Sequence, residues 1–461
     1  MRTPRRPPRD PARAAALDVV AGTRVRDAYA NLLLPPILAR YGLSGRDAGL
    51  VTELAAGTLR MRGLYDAVLA TRINRPLESL DADVLDVLRL GCHQLLSMRV
   101  PSHAAVSTSV ELVRERTGPR PTGLVNAVLR KVAQRDLAGW VRDVAPAVEQ
   151  DPYGHLAVAH SHPRWIVDEL AHALDADAEL PELLSADNRV GAATLVVRPG
   201  RADVEELLVA GARRGRLSPY AVHLQAGSPG DVPAVREGRA GVQDEGSQVV
   251  ALLTAAVPVE GRDQRWLDLC AGPGGKAALL GALGAGRGAT LTANESQPHR
   301  AALVEQAVAG LAGVTVVVGD ARHPAWRPAT YDRVLVDAPC TGLGALRRRA
   351  EARWRRTAAD LDDLVPLQRE LLAAALDAVR PGGVVVYATC SPVLQETSEV
   401  VASVVGARTD VEVVDVRTAA ADLVPADGVR GPYLQLWPHR HGTDAMFAAV
   451  LRRAGTGGSP S

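Results

Sequence analysis

"LDLCAGPGGKA", residues 267–277, is the stretch on which the fold turns. A short apolar run ends at Cys270, a glycine-rich turn follows, and from Lys276 the apolar residues take helical spacing. Strand, tight turn and helix in that order form the unit from which parallel α/β sheets are built. The glycines let backbone approach a ligand and leave the amides of a helix N-terminus facing it. A phosphate-binding P-loop is excluded: Cys270 stands where its first glycine belongs, and Ala277 where a Mg²⁺-binding hydroxyl is needed. The looser dinucleotide pattern is satisfied by Gly272-x-Gly274-x-x-Ala277, with Glu295 at the distance of a ribose-binding acid. An NAD-dependent dehydrogenase is therefore one class that this loop alone permits.

Downstream the rhythm repeats. "RWLDLC", "GATLTANE", "VTVVVGD", "DRVLVDAP" and "GGVVVYATC" read as strands, with helices predicted at 275–284, 297–310, 361–379 and 396–405. This predicts a Rossmann-like, doubly wound parallel sheet over 241–453, with ligands at the carboxyl ends of its strands. Carboxylates stand at successive ends: Glu295 after the second strand, Asp320 after the third and Asp337 closing the fourth. Such a row suits a neutral-to-cationic nucleoside better than an anionic pyrophosphate, so S-adenosylmethionine fits it better than NAD.

Three of the four cysteines lie at the same edge: Cys270, Cys340 and Cys390. Cytosine C5 is too weak a nucleophile to attack a methyl sulfonium unaided. A thiolate added at C6, with a hydrogen bond or proton at N3, makes C5 enamine-like, and a base must then remove the C5 proton. Asp337, Cys340 and Cys390 supply those residue types from adjacent strand ends. The chemistry alone leaves open which thiol attacks. Cys92, in "LRLGCHQLL", has helical neighbours and reads as a small buried hydrophobe.

Upstream, residues 11–140 carry apolar residues at helical spacing and are predicted to form an all-helical domain of five to seven helices. In "SGRDAGLVTELAAGTLR", Ser44 is a candidate N-cap. Residues 141–240 read as a linker and small α+β subdomain, with strands in "AATLVVRPG" and "YAVHLQAG" around the helix "RADVEELLVAGARR". A basic arm at 1–10 and a polar tail at 454–461 are expected to be disordered. The near-neutral total hides an asymmetry: residues 1–150 carry roughly seven more basic than acidic groups, a balance that suits an anionic partner. No apolar run approaches the ~18 residues that span a bilayer, and no h-region follows the basic start, so no membrane partner and a cytoplasmic location are expected. His160, His162, His439 and His441 lack metal-ligand spacing, so no metal is expected.

"DLCAGPGGKA", "GDA", "DAPCTGLGALRRRAEARWRR", "YATCSP" and "PHRHGTDAMFAA" together resemble the Nol1/Nop2/Sun family of RNA cytosine-C5 methyltransferases. "RDAGLVTELAAGTLR", "LDVLRLGCHQLLSMRVPSHAAVSTSVELVR" and "GLVNAVLRKV" resemble the NusB-like RNA-binding domain that bacterial members carry first. The resemblance implies that Cys270, Ala271, Gly272, Pro273, Gly274, Gly275 and Lys276 cradle the methionine end of S-adenosylmethionine. It implies Glu295 at the ribose, Asp320 at the adenine, and Asp337 against cofactor and cytosine N3. Cys390 would be the nucleophile and Cys340 would serve product release; in DNA cytosine methyltransferases the cysteine at the Cys340 position attacks instead. The implied substrate is one cytosine of 16S ribosomal RNA, the alternatives being a cytosine of tRNA or another rRNA site, or a role as an RNA-binding assembly factor. A monomer is expected. The chain departs from the family pattern at Gly272, Ala277, Ala350, the "PVLQETSE" run after Cys390, Ala445 and Met446.

"RRRAEARWRR", residues 347–356, packs six arginines and a tryptophan just after Cys340. Such a run is ordinarily a solvated face. Beside a catalytic loop it predicts RNA phosphate contacts and aromatic packing by Arg347, Arg348, Arg349, Arg353, Trp354, Arg355 and Arg356.

Overall fold

The computed structural model describes residues 8–25, 28–174, 176–208, 211–225 and 227–455. The expectations for residues 1–7 and 456–461 lie outside the described residues. The chain forms two compact units. The first comprises the chain up to Asp168 with Ala178–Asn188 and Arg348–Arg355; the second comprises Glu169–Asp177, Arg189–Arg347 and the chain from Arg356.

The first unit is helical. Seven α-helices lie between Pro11 and Val132 among the described residues, as the periodicity predicts. Leu17, Val51, Leu54, Leu64, Tyr65, Val68, Leu88 and Leu129 form one buried core. Asp81 caps the helix Ala82–Leu96, its carboxylate accepting the Asp83 and Val84 amides. Ser44 precedes the helix Gly45–Arg60 with extended backbone, but its hydroxyl makes no capping bond, a correction to the expected cap. Cys92 is fully buried in this core, and burial pushes its thiol far up, in keeping with a packing role.

In the second unit, Thr194–Val197 lies between Ala221–His223 and Ala240–Val242 in a small antiparallel sheet. The main sheet has nine strands: β1 (Arg265–Asp268), β2 (Thr290–Glu295), β3 (Val314–Val318), β4 (Tyr331–Asp337), β5 (Val379–Thr389), β6 (Val411–Val414), β7 (Val429–Arg430), β8 (Tyr433–Gln435) and β9 (Phe447–Arg453). Their order is β7-β8-β9-β5-β4-β1-β2-β3, with β6 also paired to β9. Strands β1 to β5 pair in parallel, and β9 joins β5 antiparallel. The sheet is therefore mixed, with an antiparallel edge that the predicted all-parallel sheet lacks.

Alternate residues of the central strands enter opposite layers. Leu335, Val384 and Val386 pack with α1 (Glu245–Ala256), α2 (Gly275–Ala285) and α3 (Pro298–Val308). Val334, Val336, Val385 and Tyr387 pack with α4 (Asp360–Ala378) and α5 (Ser398–Gly406). Burial on both faces explains why these strands are nearly all apolar rather than alternating. Strand order reverses between β1 and β4, so the loops after those two strands diverge and open a crevice at their carboxyl ends. Asp268 is registered with Leu335, and Asp337 with Ala388.

Candidate active site

The loop after β1 has a shape that requires glycine at one position and packs tightly at another. Gly274 has φ +107°, and a Cβ there would lie 2.5 Å from the Ala307 methyl. A Cβ on Gly272 would lie 2.1 Å from Glu295 Oε2, so the loop backbone and that carboxylate pack directly. Arg300 fastens the arrangement: its Nη2 donates to the Gly272 carbonyl at 2.7 Å, and its Nε lies 3.3 Å from Glu295 Oε2. The other Glu295 oxygen accepts the Gln297 amide at 2.9 Å.

Lys276, in the first turn of α2, reaches Asp337 at the end of β4, with Nζ 2.7 Å from Oδ2 and 3.4 Å from Ser247 Oγ. Burial alone would lower the Lys276 pKa. The charge and hydrogen bond of Asp337 outweigh it, with Cys390 and Asp268 adding, so the ammonium is held above its usual range. Asp268 closes β1. It is fully buried, no donor meets either carboxylate oxygen in full hydrogen-bond geometry, and burial with the charge of Asp337 raises its pKa to about 7 against the opposing pull of Lys276 and the Cys270 amide. The sequence marks it only as one acid inside an apolar strand, and sequence reasoning missed it.

Asp320 follows β3 at the surface. Arg322 grips its carboxylate with Nε and Nη2, at 3.0 and 2.7 Å, and holds its pKa down at about 2. In this structure the carboxylate expected at the adenine is engaged by its neighbour; as an exposed pair, the contact is weak enough to exchange for a ligand.

The two thiols meet. Cys340 Sγ lies 3.5 Å from Cys390 Sγ. The hydrogen bond to Cys390 comes first among the causes that push the Cys340 thiol well up, followed by burial and the charges of Cys390, Glu396 and Asp337. The neighbouring sulfur and burial both favour the protonated form of Cys340. Gly344 clamps the surrounding loops: its amide donates to the Cys390 carbonyl at 2.9 Å, and its carbonyl accepts the Ala445 amide at 2.8 Å. A Cβ on Gly344 would lie 2.0 Å from the Ala445 oxygen, so no other residue fits. Cys270 stands apart in function: burial pushes its thiol well above the ordinary value, which suits a packing role in the loop.

The arginine run behaves otherwise than expected. Arg347 lies between Asp244 and Asp444, Nη2 2.7 Å from one and Nε 3.3 Å from the other, both acids being buried. Within the helical unit, Arg353 is fully buried and donates to Asn188 Oδ1 at 2.9 Å and the Ser161 carbonyl at 3.1 Å. Trp354 Nε1 donates to the Leu59 carbonyl, and Arg355 Nη2 to the Thr23 carbonyl at 2.8 Å. Arg349 and Arg355 lie over the Tyr29 ring. In the second unit, Arg356 bonds the Thr341 carbonyl and Asp360. RNA contact is corrected for Arg353 and Arg347, whose guanidinium groups are spent inside the protein. Arg348 alone of the seven is exposed.

The chain carries no group of three His, Cys, Asp or Glu arranged to hold a metal ion among the described residues, and no helix there is long and apolar enough to cross a membrane. The residues present do fit a cationic nucleoside cofactor. The buried carboxylate of Asp268, the Glu295 and Asp337 carboxylates and a backbone cradle at Gly272 and Gly274 converge on one crevice.

Comparison with known proteins agrees with this layout. Residues 256–452 match the family "16S rRNA methyltransferase RsmB/F", and residues 10–134 match the NusB family. A putative methyltransferase of Mycobacterium tuberculosis is 52% identical over 98% of both chains. The probable ribosomal RNA small subunit methyltransferase B of Bacillus subtilis is 31% identical, covering 96% of this chain and 99% of its own. Among solved structures, PH0851 superposes with TM-score 0.79 at 22% identity over 97% of this chain and 99% of that one. NSun6 from Pyrococcus horikoshii with SFG superposes with TM-score 0.54 at 18% identity, over 63% and 98%. These last two likenesses establish the fold.

Proposed function

The chain belongs to the RsmB/F family of 16S rRNA methyltransferases, and from that premise we propose that it methylates C5 of one cytosine in 16S ribosomal RNA. The observation that carries the reading is the contact between the Cys340 and Cys390 sulfurs at the ends of neighbouring loops, beside the strand that ends in Asp337. A single cysteine at a strand edge is unremarkable; two in contact supply both a nucleophile for C6 addition and a thiol to meet it as it leaves.

S-adenosylmethionine, when bound, supplies the electrophilic methyl group that C5 accepts. The loop Cys270–Lys276 and Glu295 would hold it, with Asp268 and Asp337 favouring its positive charge. Asp320, released from Arg322, would meet its adenine. The target base leaves its stack to enter the crevice. Cys390, as thiolate, adds to C6. Asp337 faces N3, and the Lys276 ammonium 2.7 Å away keeps a proton beside it as charge develops on the ring. Once C5 is methylated its proton passes to a base, the C5–H electrons form the C5–C6 double bond, and the Cys390 sulfur leaves as thiolate, accepting a hydrogen bond from the Cys340 thiol 3.5 Å away. The NusB-like unit holds the RNA.

Two experiments test this. RNA carrying 5-fluorocytosine blocks loss of the C5 substituent, so the covalent adduct accumulates. It should form with Cys340→Ala and vanish with Cys390→Ala; the reverse pattern would exchange the two roles. Bisulfite sequencing of ribosomal RNA from a deletion strain should lose one 5-methylcytosine, and an unchanged map would sink the substrate assignment.

A further inference from the structure

Glu396 lies in the run after Cys390, at the end of the short turn Leu394–Glu396 and two residues before α5 begins, where it touches no expected ligand. It is nevertheless fully buried. Burying a carboxylate is costly unless donors satisfy it, so its donors reveal what it is for. Oε1 accepts the Thr341 amide at 2.7 Å and the Gln368 side-chain amide at 3.0 Å, and Oε2 accepts the Thr341 hydroxyl. The Thr341 hydroxyl also meets Ser391 Oγ at 3.1 Å. Gln368 donates from the same nitrogen to the Pro339 carbonyl at 2.8 Å, and Tyr387 donates its hydroxyl to the Glu396 carbonyl at 2.7 Å.

The Thr341 bonds join the two cysteine loops directly, and Gln368 of α4 bridges them through Pro339 and Glu396. Pro339 and Thr341 flank Cys340; Ser391 follows Cys390. One buried carboxylate therefore bolts the residues on both sides of one thiol to the segment that follows the other. Its negative charge also sits one residue from Cys340, in a low-dielectric place where such a charge disfavours a thiolate.

We propose that Glu396 is the positioning residue of the thiol pair: it sets the spacing of Cys340 and Cys390, and its charge keeps the proton on Cys340. Cys390 is left as the group that attacks, and Cys340 as the protonated thiol whose hydrogen bond meets the departing sulfur. The proposal rests on the covalent mechanism above for its catalytic meaning, but not for its test, because thiol reactivity is read without RNA or cofactor. The elevated Cys340 pKa, in which the Glu396 charge takes part, is consistent with this geometry.

The test uses the full-length protein and its Glu396→Gln variant, near-isosteric and uncharged. Iodoacetamide alkylation is followed against pH, with Cys340 and Cys390 peptides quantified separately by mass spectrometry. Removing one nearby charge should move the Cys340 midpoint to lower pH, raising its alkylation rate near pH 8 about tenfold. A merely structural residue would change reactivity at all pH values without moving the midpoint. An unmoved Cys340 midpoint in a folded Glu396→Gln protein overturns the proposal. If that variant does not fold, Glu396→Asp carries the test. It withdraws the charge by one methylene, and the midpoint should fall in the same direction by a smaller amount; no shift again overturns the role. A shift in the Glu396→Gln variant, with a wild-type protein that makes no 5-methylcytosine, would sink the functional reading while leaving the Glu396 assignment standing.

Discussion

The Cys340 sulfur lies 3.5 Å from the Cys390 sulfur, close enough for the thiols to share a proton and to be oxidised as a pair. Hydrogen peroxide would take one hydrogen from each thiol, form the S–S bond and leave as two molecules of water. Treated apoprotein should therefore lose methyltransferase activity with loss of two hydrogens by intact mass, and dithiothreitol should restore both. Cys340→Ala should abolish the reversible mass change. Activity loss with only oxygen addition would show that the pair does not close.

Lys276 is one of only two lysines in a chain otherwise supplied with arginine. Its ammonium is a compact charge on Asp337, a role the planar guanidinium fills poorly. Lys276→Met should slow single-turnover methylation by about a hundredfold or more. Lys276→Arg should not restore it. Calorimetric binding of S-adenosylhomocysteine should weaken much less than the rate, and equal losses would point to a binding role alone.

Asp268 predicts a stability change with pH. A carboxyl raised from 3.8 to about 7 binds its proton more tightly when folded. Its contribution to stability is thus fully present below about pH 4 and is lost as pH rises through about 7. Asp268→Asn should then stabilise the apoprotein at pH 8, by up to roughly 4 kcal/mol, and have little effect near pH 4. Its affinity for S-adenosylmethionine should fall. Calorimetric melting at the two pH values measures the first, and a melting temperature lowered at pH 8 would contradict it.

Arg353 should behave as a structural residue. Arg353→Ala leaves the Ser161 carbonyl and Asn188 amide oxygen without this donor and opens a cavity, so urea denaturation should show a loss of about 3–5 kcal/mol. Arg348→Ala should leave stability within about 0.5 kcal/mol. If Arg348 touches phosphate, that variant should reduce the salt dependence of RNA binding by roughly one counterion. Arg353→Ala with unaltered stability and weakened RNA binding would restore the phosphate-contact reading.

The parallel half of the sheet was legible because its strands are continuous β-branched runs with turn residues at both ends. Helices 361–379 and 396–405 were legible from their spacing, and Asp360–Ala378 and Ser398–Gly406 lie close to them. Strand β9 was hidden: "FAAVLRR" is rich in helix-forming Ala, Leu and Arg, and pairing with β5 and β6 overrides that preference. That Asp337, Cys340 and Cys390 gather at neighbouring strand ends could be read from the positions where their strands stop. Glu396 could not, because its meaning lies in bonds to residues 55 positions away. The arginine run misled because charge density says nothing of where carbonyl groups wait for a donor.

The segment holding Arg353 gives the helical unit a particular order of birth. Ser161, whose carbonyl Arg353 meets, leaves the ribosome 192 residues earlier. At about 5–20 residues per second, the partner arrives on the order of ten seconds later. Until then the carbonyl groups of Thr23, Leu59 and Ser161 lack the donors of Arg353, Trp354 and Arg355. The first unit to emerge is therefore completed only after translation has passed Arg355, well into the catalytic unit.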